Sequence, residues 1–69
     1  MLNDREIAYQ VYMTIWEKEI ATLGAINDIN DKGIEYLQNG GFEQCAKLKA
    51  KIEILREMKK EAFEKYMSF

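Results

Sequence analysis

The sequence predicts an all-α fold, an antiparallel helical hairpin that assembles with further copies into a helical bundle. Three observations lead to this prediction. The 69 residues contain no proline and only four glycines, a composition that favours helices. Apolar residues recur at alternating steps of three and four, which is the spacing of one helix face. Asn39-Gly40-Gly41 is the one strong helix breaker, because glycine readily adopts the left-handed conformation that ends a helix.

The first helix is predicted over residues 4–38. Asn3 and Glu6 have the spacing of a capping box at its start. Two apolar stripes follow, one made of Tyr9, Met13, Trp16, Ile20, Leu23, Ile34 and Leu37, the other of Ala8, Tyr12, Ile15, Ile26, Ile29, Gly33 and Tyr36. Residues 27–33 are rich in side chains that favour turns. A kink or a split of the helix there is left open, and a chain folded back at this point into a three-helix monomer is the alternative to an oligomer.

The second helix is predicted over residues 42–67, after a turn at 39–41. Its seam repeats like a heptad through Cys45, Leu48, Ile52, Leu55, Lys59, Ala62, Tyr66 and Phe69. Lys59 is the one charged residue in that seam. Pairs of opposite charge at i,i+4 cover the other face, each worth a few tenths of a kcal/mol.

A single hairpin buries too little apolar surface for this chain to fold on its own. Ordering 69 residues costs on the order of 100 kcal/mol, and one companion helix covers only one of the two stripes on the first helix. With the helices paired about the turn, the numbers of facing residues sum to about 80, which leaves residues before about 11 without a partner. We therefore predict self-association through the apolar residues near this end, namely Ile7, Tyr9, Val11, Tyr12, Trp16, Phe63 and Tyr66.

The composition excludes several kinds of chemistry. Histidine is absent and Cys45 is the only cysteine, so one chain has no disulfide, no Cys/His zinc site and no Ser-His or Cys-His catalytic pair. We predict no catalytic residue, no metal and no cofactor, and a buried structural role for Cys45. The acidic start and the absence of a long apolar run lead us to expect no signal peptide, no membrane span and a cytoplasmic location.

The leading hypothesis is a non-enzymatic interaction protein, a small adaptor, inhibitor or assembly factor that associates with itself and binds a larger protein. A first alternative follows from charge, since residues 39–69 hold seven basic and five acidic residues. It is a nucleic-acid-associated regulator that uses the basic residues of the second helix, Lys47, Lys51, Arg56, Lys59 and Lys60. A second alternative is an oligomer that binds a small ligand in an aromatic pocket between subunits.

Part of the second helix, Phe42 to Leu55, resembles the UVR motif, the helical hairpin of nucleotide-excision-repair subunits and some protease adaptors. The matching positions are Phe42, Glu43, Ala46, Leu48, Ile52 and Leu55. Cys45 stands where the motif has its first alanine, and Lys49-Ala50 where it has an Arg-Asp pair. The resemblance implies a hairpin that binds the hairpin of another protein.

Overall fold

Residues 2–69 are described by the structure, a computed structural model, as two long antiparallel helices. Helix α1 spans Asp4–Asn30, α2 is a single turn at Ile34–Tyr36, and α3 spans Phe42–Met67. Residues Leu37–Gly41 join α2 to α3 through a kink at Asn39 and Gly40, whose backbone angles are not helical. No strand occurs within the described residues, so the predicted all-α hairpin is confirmed. The molecule is a rod with extents of 50 × 19 × 13 Å.

Helix α1 begins where the capping-box spacing predicts. Asn3 has an extended backbone, and its Oδ1 accepts a hydrogen bond from the backbone N–H of Glu6 at 2.8 Å. Asp4 and Glu6 place negative charge in the first turn, where the partial positive charge of the helix dipole lies. The cap and the charges together fix the start of the helix.

The first helix is not continuous to residue 38. It ends at Asn30, and Gly33 has a φ of 92° and a ψ of 173°, a backbone region that is essentially restricted to glycine. The segment before Gly33 is rich in Asn and Asp, whose short polar side chains favour caps and turns. The interruption lies inside residues 27–33, where the composition left a kink or a split open, and its form is a three-residue break at 31–33.

The connection to α3 is kinked at Asn39 and Gly40. Gly40 has a φ of 111°, and the preceding Asn39 donates a side-chain hydrogen bond to the carbonyl oxygen of Glu35 at 2.8 Å. Gly41 is buried, and a Cβ there would lie 2.9 Å from a ring carbon and from the carbonyl oxygen of Tyr36. The predicted breaker thus ends one helical turn and lets the next begin against Tyr36.

The predicted overhang at the start of α1 is wrong. Tyr9 contacts Tyr66, Tyr12 contacts Phe63, and Glu19 contacts Arg56, so the numbers of facing residues sum to about 75 instead of 80. The cause is the break after Asn30, which adds residues to the connection and moves the centre of the hairpin towards the N terminus. Residues near position 5 therefore have partners on α3.

The apolar core lies in two separate clusters between α1 and α3. One holds Ile26, Ile29, Cys45 and Ile52, with Tyr36, Leu37 and Leu48 packed around it. The other holds Ile15, Leu55 and Ala62, with Tyr12 at its edge. No side chain of residues 2–69 is completely enclosed. The hairpin therefore has a thin core, as expected of two helices that share one seam.

Candidate interaction surface

Two aromatic pairs join the start of α1 to the end of α3. The ring centres are 5.5 Å apart in Tyr9–Tyr66 and 5.5 Å apart in Tyr12–Phe63, with ring planes tilted by 51° and 50°. Tilted contacts of this kind add about 0.5–1.5 kcal/mol to the effect of burial. Four of the seven predicted interaction residues therefore contact one another within one chain.

Arg5 completes the aromatic end of the hairpin. Its guanidinium carbon lies 5.1 Å from the centre of the Tyr66 ring, and its Nη2 donates a hydrogen bond to the Tyr66 hydroxyl at 3.5 Å. A cation over an aromatic face is attracted by the electron density of the ring. Tyr66 is thus held by Arg5 and Tyr9, and this segment of α1 is docked instead of projecting freely.

Three large apolar side chains on α1, Trp16, Ile20 and Leu23, form an exposed stripe, called the Trp16 stripe below. Their exposed fractions are 41%, 48% and 40%. They follow at steps of four and three, so they lie on one side of the helix. Of the two stripes predicted on the first helix, the one that starts at Ala8 supplies the buried residues Ala8, Ile15, Ile26 and Ile29. The Trp16 stripe belongs to the other.

On the same side of the hairpin as the Trp16 stripe, α3 presents charged side chains next to Phe63. Leu23 borders a groove together with Glu53 and Arg56, and Arg56 lines the neighbouring groove with Tyr12 and Lys60. We call Glu53, Arg56 and Lys60 the polar flank. One side of the hairpin therefore combines an apolar stripe on α1 with charges of both signs on α3.

A buried carboxylate lies between the two core clusters. Glu19 has a side chain only 7% exposed, and it accepts hydrogen bonds from Nε of Arg56 at 2.9 Å and from Nζ of Lys59 at 2.5 Å. The bonds from Lys59 and then Arg56 favour the charged carboxylate more than burial opposes it, so the pKa of Glu19 is lowered from its ordinary value of 4.5. Glu19 is ionised at neutral pH.

Ile7 and Val11 lie on a different side from the Trp16 stripe. They line a groove of about 320 Å³ together with Ala62 and Phe69, and the charged residues Asp4 and Lys65 also line it. The structure therefore divides the seven predicted interaction residues among three places: the aromatic pairs, the Trp16 stripe and this second groove.

The basic residues of α3 do not form an uninterrupted positive face. Lys47 lies 3.9 Å from the carboxylate of Glu43, and both Arg56 and Lys59 are bound to Glu19. Three of the five basic residues singled out for nucleic acid thus have carboxylate partners in their own chain. This arrangement weakens the electrostatic argument for a nucleic-acid interface, because each paired cation has less charge to offer a phosphate.

Sequence reasoning assigned no role to Glu19, and it placed Ile20 and Leu23 in a stripe without proposing them as contact residues. A signal for Glu19 exists in the sequence. It stands seven residues before Ile26 and four after Ile15, in the gap of the stripe that is buried. Lys59 fills the corresponding gap in the seam of α3, so opposite charges at the two gaps point to a pair.

No family model, no curated protein and no solved structure matches this chain. The resemblance to the UVR motif therefore stays a prediction from residues 42–55. Within residues 2–69, neither long helix has the apolar length needed to cross a membrane.

Proposed function

We propose that the chain is a non-enzymatic protein–protein interaction module that associates with a second copy of itself through the Trp16 stripe. The observation that carries this proposal is the exposure of Trp16, Ile20 and Leu23 along one side of α1, next to the face that is packed against α3. Contiguous apolar patches of this kind mark interaction sites in soluble proteins. Tryptophan is also among the residues most enriched at the energetically dominant positions of protein interfaces.

A second copy is the occupant that suits this side of the hairpin. An interface between identical copies related by a twofold axis must be complementary to itself. When two copies meet, the apolar residues of one Trp16 stripe can pack against the same residues of the other. The polar flank holds a carboxylate, Glu53, and two cations, Arg56 and Lys60, so it can also meet its own copy with opposite charges. A stripe without both signs beside it would favour a different partner.

The test is the molar mass in solution, measured by light scattering after size exclusion over a series of concentrations. We expect the wild type to exceed the 8.1 kDa of one chain and to dissociate on dilution. Trp16→Glu is expected to stay monomeric with an unchanged far-UV circular dichroism spectrum, because Trp16 lies outside the core. Ile54→Glu is the matched control, since Ile54 is 61% exposed and lies away from the stripe. A monomeric wild type at high concentration would contradict the proposal.

Binding of a larger protein stays a prediction. The groove with Ile7 and Val11 supports it, because self-association through the Trp16 stripe would leave that groove open. Val11→Glu tests whether the groove and the Trp16 stripe act independently. We expect this variant to keep the molar mass of the wild type, whereas a loss of self-association would show that the two sides are not independent.

A further inference from the structure

We infer that the two copies pair α1 with α1 and α3 with α3, each pair antiparallel, so that Glu53 of one copy binds Lys60 of the partner subunit. The inference rests on the proposed self-association and specifies its geometry. The resulting assembly is a four-helix bundle in which every helix has antiparallel neighbours, a common solution for helical hairpins. The argument uses two features that lie on different helices.

The first feature is the pair of opposite charges on the polar flank. Glu53 and Lys60 are seven residues apart, close to two turns of helix, so they lie on the same side of α3. The grooves that they line both contain Arg56, which confirms that side. A twofold axis that crosses α3 between residues 56 and 57 places each Glu53 opposite Lys60 of the partner subunit, and so forms two symmetric ion pairs.

The second feature is the position of the Trp16 stripe along the rod. Because facing residues of α1 and α3 have numbers that sum to about 75, the height between residues 56 and 57 on α3 corresponds to residues 18–19 on α1. The stripe runs from Trp16 to Leu23, and its midpoint lies within about one residue of that height. One axis therefore centres both the apolar stripe and the charge pair.

The other twofold arrangement of two hairpins fits less well. An axis parallel to the rod would place α1 of one copy against α3 of the other, and the Trp16 stripe would then cover Glu53 and Arg56. Apolar side chains over charged groups remove water from those groups without replacing its hydrogen bonds. The antiparallel arrangement instead brings apolar residues together on α1 and places Glu53 opposite Lys60 of the partner subunit on α3. The two Arg56 side chains lie nearest the axis, and each keeps Glu19 of its own chain as a carboxylate partner.

A charge exchange at the proposed pair is the first experiment. Glu53→Lys and Lys60→Glu each place like charges opposite one another twice in a dimer, so we expect each single variant to raise the dissociation constant about tenfold. The double variant restores both pairs with reversed signs and is expected to return to within about threefold of the wild type. Glu61→Lys makes the same charge change away from the polar flank and should leave the dissociation constant unchanged.

The distance between spin labels at Ser68→Cys, in a Cys45→Ala background, is the second experiment. Residue 68 is about 17 Å along the helix from the proposed axis, so the antiparallel dimer separates the two labels by roughly 35 Å. The parallel axis would put both labels at one end of the rod, at about half that distance. Failure of the double variant to recover, or a short label distance in a wild-type dimer, would overturn the arrangement. A wild type that is monomeric would instead refute the self-association itself.

Discussion

Glu19 and Lys59 each occupy the gap in the apolar stripe of their own helix, and the two side chains meet across the hairpin. A shift of α3 by one turn would move Lys59 away from Glu19 and leave both charges without partners between apolar clusters. A charge buried without a partner costs several kcal/mol. The pair, with Arg56 as a third member, therefore selects one register among those that apolar contacts alone would permit.

Glu19→Gln tests the contribution of this pair to stability. The amide keeps the shape of the side chain but removes the charge, so Arg56 and Lys59 lose a carboxylate partner. We expect the free energy of unfolding to fall by about 1–3 kcal/mol. The measurement is urea unfolding followed by circular dichroism at one fixed protein concentration, because association adds to apparent stability.

Glu17→Gln is the matched control for that change. Glu17 is exposed, and the ion pairs found within residues 2–69 do not include it. The same chemical substitution there should change the free energy of unfolding by no more than about 0.5 kcal/mol. Equal effects of the two substitutions would show that the buried network contributes nothing specific.

The lowered pKa of Glu19 predicts a dependence of stability on pH. A carboxyl whose pKa is lower in the folded state than in the unfolded state stabilises the fold at a pH above its ordinary value. That contribution is lost as the pH falls from 4.5, the ordinary value, through the lowered pKa of the folded state. Acid should therefore remove the advantage of the wild type over Glu19→Gln.

The measurement is the free energy of unfolding of both proteins from about pH 7 to about pH 2, the range that contains carboxyl titrations. The other carboxyl groups are common to both proteins, so their effects cancel in the difference. We expect a constant difference down to about pH 5 and a decline below it. A difference that stays constant to the lowest pH would mean that the pKa of Glu19 is not shifted.

Gly33→Ala and Gly24→Ala should change stability in opposite directions. A Cβ would meet nothing within 4 Å at either position, but only Gly33 has a positive φ, at 92°. The backbone conformation of Gly33 costs alanine about 1–3 kcal/mol, whereas alanine inside a regular helix is more stable than glycine by about 1 kcal/mol. Urea unfolding of the two variants measures both effects, and destabilisation by Gly24→Ala would contradict the regular geometry of α1 at that position.

The hairpin and its capped start could be predicted from the sequence because both depend on local patterns. Asn3 with Glu6 marks a helix start, and Asn39 with the glycines after it marks the turn. The register could not be predicted. It depends on how many residues the connection uses. The composition of residues 27–33 is compatible with either a kink or a split of the first helix, and it does not show that Gly33 adopts a positive φ.

The aromatic residues illustrate the same limit at the candidate site. The sequence placed Tyr9, Tyr12, Phe63 and Tyr66 among seven predicted interaction residues, but an incorrect register placed Tyr9 beyond the end of α3. In the structure the sum of facing residue numbers is lower by about five, so the end of α1 that was expected to be free has Tyr9 paired with Tyr66 and Tyr12 paired with Phe63. Trp16, Ile20 and Leu23 remain exposed on α1, since the interior of the hairpin accepts only one stripe.

The ion pairs of Glu19 with Arg56 and Lys59 also determine where the chain tolerates a change of length. An extra residue inside α1 rotates everything after it by about 100°, so an insertion between Ala8 and Glu19 would turn one of them out of the interior. An extra residue among positions 31–33 lies outside both long helices, so the bend can take it up while the bonds of Glu19 to Lys59 and Arg56 hold the register. Length variation in related chains should therefore collect at this bend, while the spacing from Ala8 to Ile29 and from Cys45 to Ala62 stays constant.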